Sequence, residues 1–417
     1  MTKKSRVLNV GIGFVTGRKN FKSVAKTYVN NWNESGAVNN KNYALHLFVA
    51  YDLAYKRTKP YDYKISDEEI FDTIDSAHYI GHSGVENEVG YLVENKAVNL
   101  KEANLIFGEG YAMKRNTVLY FALKNKMDYL IFLDDDEYPV ATIKVNDSIV
   151  WKGQEVLSTH IENLKHCDMT HGHHCGYISP IPCLDFSGEL KEREFKLFIE
   201  AISNDIINWA SIKKKMIDGG VTYASLEVIE NTEIKTVKEI NGAKFISGAN
   251  LGFNLKNTDK LFPFYNPPGA RGEDTFLSTC LSDCTVRKIP CYTFHDGFST
   301  CEHLLLGVLP NELKSMRTDS SFIRKRFLQA SLGWIRYKPL LMYITNRNGY
   351  QAEMHRIKED LSKVIPSICA YFGNDKFKDL LTELDYFDSH VEAHYRDFEN
   401  TKKAWTKIKK FLERSNL

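Results

Sequence analysis

A chain of 417 residues with 55 basic and 53 acidic side chains has a formal charge of +2, which excludes a diffuse electrostatic grip on nucleic-acid phosphates. Its length points to two or three domains, or to one domain with large insertions. No apolar run approaches the ~20 residues that span a bilayer, and eight irregularly spaced cysteines suit a reducing compartment rather than a disulfide framework, so the expectation is a cytoplasmic protein.

The first third alternates strand and helix patterns. "RVLNVGIGFV" reads as a strand and Phe21 to Trp32 as a helix; "YALHLFVAYD" is a second strand, and "SDEEIFDTIDSAH" opens a helix with an N-cap serine and early acids. A further helix, "AMKRNTVLYFALKNK", feeds the strand in "MDYLIFLDDDEYPVA". Such alternation predicts a mostly parallel sheet flanked by helices, with ligands beyond the carboxyl ends of its strands. Residues 142–243 read as an inserted α+β region. In it "IVWKGQEVLSTHI" and "DMTHGHHCGYISPIP" look like strands, and "ELKEREFKLFIEAISNDIINWASIKKKMI" looks like long amphipathic helix. Sheet patterns return in "GAKFISGANLGFNL" and "RKIPCYTFHDGF". Residues 1–309 thus form one α/β domain, and 310–417 a helical C-terminal region.

Chemistry concentrates where an apolar strand ends in Asp134, Asp135, Asp136 and Glu137. Like charges packed into one turn raise each other's pKa unless a cation sits among them. Asp134 and Asp136, two apart on an extended segment, point the same way, and Mg²⁺ is ordinarily held by one or two carboxylates and completed by phosphate oxygens. The competing reading is a solvated acidic turn.

Arg115 and Asn116 lie about 20 residues ahead of these acids. With "GFVTGRKNF", "ISGANLGFNL", "GARGEDTFLST" and "YTFHDGFST" in this order, the chain resembles the nucleotide-sugar glycosyltransferases of the GT-A fold, especially family 2 and its relatives. The resemblance covers roughly residues 5–140 and 240–300. It implies a GT-A-like sheet and transfer of a hexosyl group from a nucleoside-diphosphate donor to a hydroxyl on a carbohydrate or glycoconjugate, with Mn²⁺ or Mg²⁺ as cofactor. Asp134 and Asp136 match the two acids of the family's D-x-D motif, the first nearer the ribose and both at the metal, with Asp135 beside the donor. Thr16 and Arg18 match positions that embrace the base, Asp52 an acid that meets base or ribose, and Arg115 and Asn116 the nucleotide side. His295 matches a late metal-binding histidine. Asp274, with Glu273 beside it, matches the acid that serves inverting members as general base, and inversion is slightly favoured. The extra acids Asp135 and Glu137 leave open which carboxylate takes the metal.

Each assignment has a plainer counterpart. Arg18 could be a surface residue, Asp52 a cap, His295 a core histidine, and Asp274 a helix-start acid, which is what that position favours in any protein. "HCDMTHGHHCGYISPIPC" lacks paired C-x₂₋₄-C spacing, so acceptor-pocket or core roles are preferred to zinc. "GIGFVTG" has Thr16 where a dinucleotide fingerprint needs glycine. "IRKRFLQASLGWIRYKPLLMYI" packs on its own domain or lies against an anionic membrane or lipid-linked acceptor. Two other functions compete: a sugar-phosphate nucleotidyltransferase, although its Gly-rich loop is missing, and a non-catalytic carbohydrate-binding relative.

Overall fold

A computed structural model describes residues 7–39, 42–146, 148–186, 188, 190–203, 209–299 and 301–415, without the side chains of Glu69, Glu302 and His303. The chain opens with β1 (Leu8–Thr16), α1 (Phe21–Glu34), β2 (Tyr43–Tyr51), α2 (Glu68–Thr73), β3 (Ser76–Ile80), α3 (His82–Glu94), α4 (Leu100–Phe107), α5 (Tyr111–Lys124) and β4 (Tyr129–Leu133). There follow β5 (Glu137–Tyr138), the hairpin of β6 (Val140–Val145) and β7 (Ser148–Gly153), α6 (Val156–Leu164), β8 (Met169–Tyr177), α7 (Glu192–Ile202), α8 (Trp209–Ile217) and α9 (Leu226–Asn231). The chain continues through β9 (Lys235–Thr236), β10 (Leu251–Asn254), α10 (Glu273–Ser278) and β11 (Val286–Asp296). It closes with α11 (Ser321–Thr345), α12 (Tyr350–Phe372), α13 (Asp379–Ser389) and α14 (Val391–Ser415).

Nine strands make one sheet in the order β3-β2-β1-β4-β10-β8-β11-β5, with β9 on β11. The β3-β2-β1-β4 half is parallel. β10 runs against both β4 and β8, and β11 again follows β8. The result is a mixed α/β sheet flanked by helices, with a helical C-terminal region.

Local sequence explains the layers. In α1 the apolar side chains Phe21, Val24, Ala25, Tyr28, Val29 and Trp32 recur at helical spacing and are all buried. β4 is apolar at every position because both faces are covered: Tyr129, Ile131 and Leu133 join the core under α1 and α6, while Leu130 and Phe132 join the core under α3–α5. α4 begins with a capping box in which Asn99 and Glu102 satisfy each other's backbone N–H groups. A third core is built mainly from α7, α11, α12 and α13.

Several elements depart from the sequence expectation. The expected strand "IVWKGQEVLSTHI" is half strand, β7, and half helix, α6, whose buried Val156, Leu157, His160, Ile161 and Leu164 follow a helical period that its β-branched residues obscure. α2 is a single short helix, preceded by Asp67 rather than opening at Ser66, and the "SAH" that follows it belongs to β3. The expected long helix appears as α7 and α8, and its 204–208 stretch lies outside the described residues, as do Thr300 of "YTFHDGFST" and the start of the chain. The 142–243 stretch, read as an insertion, supplies β8 to the middle of the sheet. α14 likewise packs into the sheet's own core through Ala404, Trp405, Ile408 and Leu412. No helix among the described residues is long and apolar enough to cross a membrane.

Candidate active site

β1 pairs with β2 on one side and β4 on the other, so connections leave the sheet in opposite directions there, and open α/β sheets bind ligands beyond the strands' carboxyl ends at such a switch point. Thr16 closes β1, Asp134 follows β4, and Tyr177 and Asp296 close β8 and β11. Because β10 is reversed, the "ISGAN" segment before it reaches the same edge.

The acids are not a solvated turn. Asp135, Asp136 and Glu137 are 7, 8 and 3% exposed, and the backbone is pinned by β5 pairing with Phe294 and His295 and by Asp296 N–H donating to the Asp136 carbonyl at 2.9 Å. Each carboxylate has its own set of partners, with Arg18 shared by Asp135 and Asp136. Asp134 accepts from the Tyr111 hydroxyl at 2.9 Å and Arg115 Nη2 at 3.0 Å. Arg115, 1% exposed, lies over the rings of Tyr111, Phe132 and Phe264 and has Glu273 3.6 Å from its Nε. Asp135 accepts from Thr16 Oγ1 at 2.5 Å and has Arg18 Nη1 at 3.4 Å. Asp136 holds Arg18 Nη1 at 2.5 Å and faces His295 Nε2 at 3.5 Å. The other His295 nitrogen, Nδ1, donates to the Tyr177 carbonyl at 2.9 Å, which aims Nε2 at the acid.

Electrostatics separates these neighbours. Burial pushes Asp134 above the usual carboxylate range and Asp135 up to about 7. Burial works the same way on Asp136, but His295 and Arg18 outweigh it and hold that carboxyl well below its ordinary value. The same contact raises His295 to about 9 against the opposing effect of burial.

A divalent ion can be tested against this arrangement. No group of three or more His, Cys, Asp or Glu side chains converges as a metal cage among the described residues. Asp136 Oδ2 and His295 Nε2 do converge, and Arg18 stands on that oxygen as a cation already in place. One carboxylate and one imidazole fit Mn²⁺ or Mg²⁺ only if phosphate oxygens and water complete the shell and Arg18 moves onto phosphate. Asp134, engaged by Arg115 and Tyr111, stands apart from this pair.

The remaining expected residues divide. Thr16 and Arg18 reach the acids. Asp52 adjoins them, its N–H bonding the Thr16 carbonyl, while its carboxylate caps Ala54 N–H at 2.8 Å. Asn116 is wholly buried and spends its amide on both backbone groups of Phe264, at 2.9 and 2.7 Å, so it bolts α5 to that loop and lines no opening. Positive φ at Gly269 and Gly272, +74° and +93°, turns the chain so that Glu273 and Asp274 begin α10. Asp274 accepts from Thr275 N–H at 2.8 Å and from its own and Gly248's backbone. Burial raises Asp274, and burial together with Asp274 pushes Glu273 up to about 7.

Four further residues, not selected as site residues from sequence, complete the wall. Ser247 Oγ lies 2.7 Å from His174 Nε2, and His174 Nδ1 lies 3.1 Å from Glu137 Oε1. Thr293 Oγ1 donates to Glu137 Oε2 at 2.7 Å and lies 3.0 Å from His174 Nδ1. The signals existed separately, as the fourth acid of the run, one histidine of "HGHHC" and the serine of "ISGAN", but 73 residues separate Ser247 from His174. No model of a known protein family matches this sequence, and no curated protein matches it.

Proposed function

We propose that this protein is a metal-dependent glycosyltransferase that moves a sugar from a nucleoside-diphosphate donor to a hydroxyl of a carbohydrate or glycoconjugate. The observation that carries this reading is the meeting of Thr16 at the end of β1 and Arg18 just beyond it with Asp135, Asp136 and His295 at the point where strand order reverses. Such a switch point suits a nucleotide, the Asp136–His295 pair suits a cation that phosphates complete, and Arg18 could pass from carboxylate to phosphate. When bound, the cation would neutralise charge that builds on the departing diphosphate. Asp274 and Glu273 border the same edge beside Arg115, on the side left for the acceptor. If a base of this wall takes the acceptor's proton, attack comes from the face opposite the diphosphate and the anomeric centre inverts.

The test is a thermal-shift and calorimetric screen of UDP, GDP and their sugars with and without Mn²⁺. A nucleotide at 100 times its Kd should stabilise the fold by about 2.7 kcal/mol, and only with the metal. No shift from any nucleotide or nucleotide sugar in either condition would overturn the reading.

A further inference from the structure

We propose that His174 is the proton acceptor of the site, working through the Ser247 hydroxyl and oriented by Glu137; this rests on the transferase reading. Catalysis of this kind needs a base within hydrogen-bond reach of a hydroxyl and a third group that fixes the base's orientation. The 2.7 Å Ser247–His174 and 3.1 Å His174–Glu137 contacts meet both requirements. Glu137 accepts the Nδ1 proton and leaves the Nε2 lone pair facing Ser247. Thr293, bonded to the other Glu137 oxygen at 2.7 Å, holds the carboxylate in place.

Position links this relay to the sugar-transfer centre at both ends. Glu137 directly follows Asp136, and Ser247 directly precedes Gly248, where a Cβ would lie 3.4 Å from Asp274 Oδ2 and 3.5 Å from Arg115 Nη2. Gly248 thus brings backbone against the acid that resemblance would make the base. Asp274, however, already serves its own and Thr275's backbone N–H groups at the start of α10, the use expected of a helix-start carboxylate, and that of Gly248 as well. The His174 Nε2 lone pair faces only a hydroxyl that can itself give and take a proton. Ser247 and His174 are both partly open, so an incoming hydroxyl can reach them.

The step balances without a further reagent. The acceptor oxygen bonds to the anomeric carbon as the bond from that carbon to phosphate breaks, and the electron pair leaves with the diphosphate. The acceptor's proton passes to Ser247 Oγ while the serine's own proton passes to His174 Nε2. Glu137 stays ionised throughout, and Asp274 positions Ser247 through the Gly248 backbone.

The experiment uses the full chain, a panel of UDP- and GDP-sugars and Mn²⁺, with water as the acceptor and nucleoside-diphosphate release as the readout. His174→Gln keeps a polar side chain but removes the base, and should lower kcat by about 10²- to 10⁴-fold with KM and Mn²⁺-nucleotide affinity unchanged. Ser247→Ala should fall in kcat alone, and Ser247→Thr, which restores the hydroxyl, should recover. A purely structural serine would lose stability and would show no such alanine–threonine split in kcat. Turnover within about threefold of wild type in both His174→Gln and Ser247→Ala would overturn the relay. Nucleotide binding without release from any donor would also overturn it and leave the nucleotide site standing. Failure of every nucleotide to bind would overturn the transferase reading and the relay together.

Discussion

The two ends of the Asp134–Glu137 turn solve the same electrostatic problem in opposite ways. At the Asp134 end the counterion is Arg115, 1% exposed, set among three aromatic rings by a helix that cannot move without the core. At the Asp136 end it is Arg18, whose side chain is 25% exposed, on the segment between β1 and α1. One cation is sealed into the fold and the other stands partly open to solvent. Adjacent residues of one acidic run are therefore not equivalent: what reaches each carboxylate, rather than its place in the motif, sets its surroundings.

The largest effect is expected at Arg115. Arg115→Ala leaves Asp134 and Glu273 without their buried partner and should cost about 3–5 kcal/mol of stability in urea denaturation; a loss below about 1 kcal/mol would make the two ends alike. Glu273 sharpens it next. Its folded pKa of about 7 lies above the ordinary glutamate value, so the native state holds a proton that the unfolded chain releases, and stability falls as pH rises from about 4.5 to about 7. Glu273→Gln removes that loss. Between pH 4 and pH 8 the variant should gain up to about 3 kcal/mol on wild type, at 1.36 kcal/mol per pH unit, and parallel stability profiles would refute the assignment.

At the other end the effect falls on binding. Asp136→Ala and His295→Ala should each weaken Mn²⁺-dependent UDP or GDP binding by about 10²-fold, given that even groups behind a metal ligand are worth 10- to 100-fold, and circular dichroism should show the fold intact. Undiminished, metal-enhanced binding in both variants would remove the cation from this pair. The smallest effect belongs to Thr16→Val, which takes one hydrogen bond from Asp135 and should cost about 1 kcal/mol in the same urea titration.

α1, with one clear helical period, and the apolar runs of β1, β2, β4 and β11 were legible in the sequence, as was the helix α5 that feeds β4. Asp135 and Asp136 do meet Thr16, Arg18 and His295, residues that the resemblance had grouped into one site and that lie at or just past strand ends. Where two periods compete the reading failed. "IVWKGQEVLSTHI" mixes β-branched residues with a helical face, and α6 appears only when Val156, Ile161 and Leu164 have a sheet to pack on. β8 reads as a strand in the sequence, yet its place at the centre does not, since it joins the β3-β2-β1-β4 half only through the reversed β10, whose own sequence follows about 70 residues later. Asn116 looked like a nucleotide contact because a buried amide and a ligand-facing one are spelled alike; only the Phe264 backbone distinguishes them. Ser247, His174 and Glu137 were each visible, but nothing in their spacing says that the segment before β10, the body of β8 and the start of β5 carry them to one wall.

The packing of α14 has a consequence in time. Lys407 reaches Glu102 across 305 residues, and Trp405 donates to the Leu261 carbonyl while filling the same core as α3–α5. A ribosome adding roughly 5–20 residues per second needs on the order of 15–60 s to carry synthesis from α4 to the helix that covers it. For that interval the face of α4 that α14 covers lacks its native partner, so this apolar surface is more exposed in the nascent chain than in the finished protein.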